Sequence, residues 1–130
     1  MKDIKIGTTL EKEFIVTQEQ LASQVGSGIV DVYATPMMIA AMEQSACECL
    51  LPFLEEGETS VGVMIHTTHD AATPQGMKVM VSVEICDVDR KKVSFRIVAQ
   101  DEKDTIGIAS HDRVIVKKES FEARTKAKLD

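Results

Sequence analysis

A chain of 130 residues with 44% apolar side chains is long enough to bury a core without disulfides or metal staples. With no Trp and a single Tyr, that core must be aliphatic. The net charge of −6 argues against a nucleic-acid backbone as the main partner, because such a partner demands a basic surface.

The charge is unevenly spread. Residues 1–76 carry 11 acids and 3 bases, whereas residues 77–130 carry 10 acids and 12 bases, so an anionic ligand is drawn to the second half. Cys47, Cys49 and Cys86 are odd in number and lack metal-ligand spacing, so they read as reduced thiols. No segment reaches the ~20 apolar residues of a membrane span, and the N-terminus has no signal-peptide pattern. The expected location is cytoplasmic, with no membrane partner and no bound metal.

In chain order, LEKEFIV (10–16) predicts a short first strand. TQEQLASQVGSG (17–28) predicts a short helix capped by Thr17 and ended by Gly26 and Gly28, followed by the loop IVDVYAT. The main helix is expected from Pro36 to Leu54, with Thr35 as N-cap and Gly57 just beyond its end. Only Glu43 and Glu48 are charged along it. A helix apolar nearly all round must be covered on most sides.

The apolar period then changes from 3.6 to 2. SVGVMIHTTH (60–69) is expected to turn Val61, Val63, Ile65, Thr67 and His69 to one face. MKVMVSVEI turns Met77, Val79, Val81, Val83 and Ile85 inward, and VSFRIVA does so with Val93, Phe95, Ile97 and Ala99. In TIGIASHDRVIV the set Ile106, Ile108, Ser110, Asp112, Val114 and Val116 is expected inside, with Arg113 opposite it as a solvated cation. DVDRKK and QDEKDT form polar turns, and the charged C-terminal stretch closes as a short helix. Residues 1–130 are thus one α+β domain, a long helix wrapped by a curved antiparallel sheet. One sheet covers one side of the helix, so a second protomer or a lid must cover the rest, and a homodimer is expected.

Three side chains could carry chemistry. Glu43 is either a carboxylate at the helix edge or a cleft-lining group held by hydrogen bonds and able to orient a water. His69 is either a satisfied core residue or a base near neutrality. The Thr35 hydroxyl caps the helix and also sits at the positive end of its dipole, where an oxyanion is stabilised. Gly62 permits close approach of a ligand or backbone. A hydroxyl, a carboxylate and an imidazole on adjoining elements are compatible with hydrolysis of an activated acyl group. No nucleophile elbow, phosphate loop or dinucleotide fingerprint points elsewhere.

The segments VYATPMMIAAMEQSACECLLPFLEEGETSVGVMIHTTHDAATPQGMKVMVSVEI and IGIASHDRVIV resemble the hot-dog-fold acyl-CoA thioesterases related to fluoroacetyl-CoA thioesterase. The resemblance runs from Ile15 to Ala123. It implies a dimer with sheets joined edge to edge and acyl-CoA sites at the interface. It also implies catalytic roles for Thr35, Glu43 and His69, a thioester-oxygen contact at the Gly62 N–H, and Arg113 near the ligand entrance. Coenzyme A enters as part of the substrate, so no separate cofactor is implied. Where fluoroacetyl-specific members carry lid phenylalanines, this chain has Gly26 and Ile29, with Tyr33 nearer the helix. The expected substrate is therefore a short acyl-CoA other than, or broader than, fluoroacetyl-CoA. The rival function is a non-hydrolytic acyl-CoA binding module on the same fold. A second rival is a purely structural domain in which Glu43 pairs with His69 in the core.

Overall fold

A computed structural model describes residues 1–130. Strand β1 (Thr9–Ile15) leads through a 3-10 turn (Gln18–Gln20) into α1 (Ala22–Val25), a single turn. The long helix α2 (Thr35–Leu50) follows, then a 3-10 turn (Leu51–Phe53), β2 (Glu58–Thr67), β3 (Lys78–Asp89), β4 (Lys92–Asp101) and β5 (Thr105–Lys117). Helix α3 (Lys118–Lys126) closes the chain. All pairings are antiparallel, and the sheet order is β1-β3-β4-β5-β2.

The expected short helix at 17–28 does end at Gly26, in a left-handed conformation at φ 85°, but it is broken near its start: Leu21 is extended, so Gln18–Gln20 form a separate 3-10 turn and only Ala22–Val25 is α-helical. The main helix stops at Leu50 rather than Leu54, since Pro52 cannot donate to the next turn and the chain tightens to 3-10 geometry.

The inner face of β3 and β4 follows the alternation in the sequence. Val79, Val81, Val83, Ile85, Val93, Phe95, Ile97 and Ala99 are all buried. They pack with Met38, Met42, Ala46 and Leu50 of α2 in one core cluster. Each buried Val, Ile or Leu side chain contributes ~1.5–3 kcal/mol.

The alternation fails in β2 and β5, for one physical reason. Register shifts between Gly62 and Met64 in β2, and between Ala99 and Gln100 opposite the start of β5. A β-bulge inserts one residue and turns every following side chain to the other face. Beyond its bulge, β5 buries Ala109, His111, Arg113 and Ile115, while Ile108 is left outside. The expected inner set is thus correct only at Ile106, and Arg113 is a core residue at 7% exposure rather than a solvated one. In β2, Val63 is 55% exposed, and Gly62 instead of Val61 looks toward the helix.

The two sheet edges differ in chemistry. β1 carries Glu11, Lys12 and Glu13, charges that discourage pairing with another strand. β2 has no Lys, Asp or Glu after Glu58 and exposes Val63 and Met64. One stripe of α2 is also left uncovered, with Ala40 and Gln44 exposed and Glu43 and Cys47 partly so.

Candidate active site

Helix α2 begins one residue earlier than expected. Ala34 is the N-cap, and Thr35 is the first helical residue. The Thr35 hydroxyl is therefore released from capping. It lies 2.6 Å from His69 Nδ1.

His69 sits just past β2 on a segment clamped to β5. Thr68 N–H donates to the Ile108 carbonyl at 3.1 Å, and Asp70 N–H donates to the Ile106 carbonyl at 2.7 Å. The Thr68 hydroxyl donates to Asp70 Oδ2 at 2.7 Å and accepts from Ile108 N–H at 3.3 Å. Sulfur packing completes the clamp. A carbon added at Gly107 would meet the Thr68 carbonyl oxygen at 2.7 Å and Met38 Sδ at 2.9 Å. Gly107→Ala is accordingly expected to destabilise by ~1–3 kcal/mol, the usual range for overpacking, and to pull His69 off Thr35. Thermal unfolding and turnover measured together check this, and a variant with unchanged rate would contradict it.

Thr35 and His69 share a cavity of about 260 Å³ with Ala22, Val32, Tyr33 and Ala71. His69 Nε2 is buried without a hydrogen-bond partner, the sole side-chain atom of this kind in the chain. Native structures rarely leave such a group unpaired outside a working site.

Burial holds the His69 imidazole below its ordinary value of 6.5, with the Asp70 carboxylate opposing the shift. His111 is likewise lowered, by burial first, and Arg113 adds to the effect. Both rings are therefore neutral at pH 7. The unfolded chain binds more protons than the folded one between these lowered values and 6.5. The stability they contribute is complete above 6.5 and falls away as acid takes the pH below it. The neutral form of His69 survives further into acid than a free imidazole. The expected kcat/KM profile stays flat down through pH 6.5 and drops only beneath it. A midpoint above 6.5 would contradict the burial argument.

Glu43 lies elsewhere. It stands eight residues after Thr35, ~12 Å along the helix axis, and does not line the cavity of Thr35 and His69. Its Oε2 approaches Gly62, where an added side-chain carbon would meet it at 3.0 Å. The same point lies 3.3 Å from His111 Cε1 and 3.4 Å from Arg113 Nη1. Arg113 Nε donates to Ser60 Oγ at 2.8 Å, and Nη2 donates to the Ser60 carbonyl at 3.0 Å. Its Nη1 reaches His111 Nε2 at 3.3 Å.

Of the five residues singled out in the sequence, Thr35 and His69 thus form one cluster. Glu43, Gly62 and Arg113 form another. Glu43 does not pair with His69 inside the core, so the structural-domain alternative loses its premise. His111 and Ser60 were invisible as site residues because the strand phase read from the sequence put Val61 and Ile108 inward, and the bulges that break that phase exist only in the paired sheet.

Comparison with known proteins places the whole chain in a family. Residues 16–119 match the family model for FlK, the fluoroacetyl-CoA-specific thioesterase. The chain is 33% identical over 135 residues to a fluoroacetyl-CoA thioesterase of Streptantibioticus cattleyicolor, covering 98% of this chain and 97% of that protein. A solved structure of the fluoroacetyl-CoA thioesterase superposes with a TM-score of 0.94 at 31% identity, covering 98% of each chain. A Thermus thermophilus thioesterase superfamily member gives 0.91 at 33% identity, covering 99% of this chain and 96% of its own. A hot-dog-like protein from Thermanaerovibrio acidaminovorans shares the fold at 0.87 and 23% identity, covering 96% of this chain and 93% of its own.

Proposed function

The chain belongs to the fluoroacetyl-CoA-specific thioesterase family and is a hot-dog-fold acyl-CoA thioesterase acting on short acyl thioesters; from that premise we propose that Thr35, His69 and Glu43 carry the hydrolysis. The observation that supports this most directly is the 2.6 Å contact between the Thr35 hydroxyl and His69 Nδ1. It pairs a nucleophile with a neutral base.

Thr35 Oγ1 attacks the thioester carbonyl carbon while His69 Nδ1 takes the hydroxyl proton. The Gly62 N–H holds the carbonyl oxygen as it gains negative charge. The C–S bond breaks, and the CoA sulfur leaves with the proton from His69. A water oriented by Glu43 then cleaves the Thr35 ester, releasing the carboxylic acid and restoring the hydroxyl.

Two copies are needed for this sequence of steps. Gly62 and His69 lie seven residues apart, ~20 Å along an extended strand, so one chain cannot bring both to one carbonyl. Antiparallel pairing of β2 with β2 of a second copy, about a two-fold near Ile65 and His66, brings them opposite each other. The uncharged β2 edge and the bare stripe of α2 support that homodimer. Three unpaired cysteines are consistent with a cytoplasmic enzyme, and no helix is long and apolar enough to cross a membrane.

The acyl chain is a short one, selected by Val32, Tyr33 and Ala71 beside an open lid whose Ile29 is 96% exposed. Steady-state hydrolysis of acetyl- through octanoyl-CoA and fluoroacetyl-CoA tests this. The expected result is turnover of several short acyl groups, with no sharp preference for fluoroacetyl. A Thr35→Ala protein that hydrolyses them at the wild-type rate would overturn the nucleophile. Tight binding without thiol release would favour the non-hydrolytic alternative.

A further inference from the structure

Arg113 is a buried cation with no carboxylate within ion-pair distance, an arrangement that ordinarily costs several kcal/mol and calls for a reason. Its guanidinium is fixed from three directions. Ser60 Oγ accepts from Nε, the Ser60 carbonyl accepts from Nη2, and His111 Nε2 lies opposite Nη1. A guanidinium has only donors, so His111 Nε2 must be the acceptor. The ring proton is then on Nδ1, which donates to the Met64 carbonyl at 2.8 Å. Met64 sits where the bulge of β2 ends, so that bond also ties the ring to the irregular stretch beginning at Gly62.

Glu43 accepts no hydrogen bond within the chain, yet its Oε2 points at the place where Arg113 Nη1 and the His111 Cε1–H edge converge. Both present positive potential to the carboxylate. We propose that His111 is a positioning residue for Glu43: bonded to the Met64 carbonyl and to Arg113, it holds the guanidinium so that its field seats the carboxylate over Gly62. This rests on the catalytic role of Glu43 given above and assigns Arg113 to the same support, beneath the carboxylate rather than at a solvent-facing entrance.

The test is a double-mutant cycle on the full chain, measuring kcat and KM for His111→Ala, Glu43→Gln and the double variant, with His111→Gln as the conservative replacement. Gln keeps an oxygen able to accept from Arg113. His111→Ala is expected to lower kcat by about tenfold or more with little change in KM, the scale of a poorly supported catalytic group. The double variant is expected to be no slower than Glu43→Gln alone, because residues acting through one another are non-additive. His111→Gln is expected to recover most of the loss, which also separates the effect from misfolding of the alanine variant.

Additive losses, or wild-type kcat in His111→Ala, would overturn the positioning role while leaving Glu43 in place. Wild-type kcat in Glu43→Gln would instead remove the catalytic reading of Glu43, and this inference with it.

Discussion

Equal amounts of Thr35→Ala and Glu43→Gln protein, each nearly inactive alone, are expected to recover about a quarter of the wild-type rate once their subunits exchange. The fraction follows from counting. Random exchange makes half of the dimers mixed, and each mixed dimer has one intact site. That site takes Thr35 and His69 from the Glu43→Gln copy, and Glu43 from the Thr35→Ala copy. The other site lacks both groups.

Each single variant should lose at least about a hundredfold in kcat, the usual scale for removing a nucleophile or a water-orienting base. Recovery is thus read against almost no background. If each site were built within one chain, mixed dimers would contain no intact site and the rate would stay at the background. The Glu43→Gln protein is also expected to accumulate an acyl group on Thr35, seen as a mass increase after rapid mixing with substrate.

A Val63→Lys/Met64→Lys protein is expected to be a folded monomer with at least a hundredfold lower activity. Val63 and Met64 are 55% and 41% exposed in the single chain, so their replacement removes little from the core. Lysines on an open edge oppose strand pairing, as Lys12 already does on β1. The unfolding midpoint of the separated chain should therefore fall less than the catalytic rate. Sedimentation at several protein concentrations, with activity measured in parallel, checks both claims. Activity that returns as concentration restores the dimer is the expected pattern. A fully active monomer would remove the need for a second copy.

The inner faces of β3 and β4 were legible because a regular antiparallel pair preserves period 2 and one side is buried. The α2 helix is legible from its apolar length and from Pro36 in its first turn, although it starts one residue earlier than expected and stops at Leu50, well short of Gly57. That single residue matters. As an N-cap the Thr35 hydroxyl would serve the helix backbone, whereas as the first helical residue it is free to meet His69. The cap position depends on the φ and ψ of Ala34, which the 73–33 backbone contact, Tyr33 N–H to the Thr73 carbonyl at 2.8 Å, helps set.

Residue identity and order alone determined the aliphatic core, the helix and strands, and the family resemblance with its candidate residues Thr35, Gly62, Glu43, His69 and Arg113. Only the tertiary structure decided how those candidates divide: Thr35 with His69 on one side, Glu43 with Gly62 and Arg113 on the other. One reason is distance, eight helical residues from Thr35 to Glu43 and seven strand residues from Gly62 to His69; the other is the bulges of β2 and β5, which set the phase that puts Gly62 and Arg113 inside. A bulge is a property of two paired strands, and it reverses which side chains face the core without leaving a mark in either strand's own sequence.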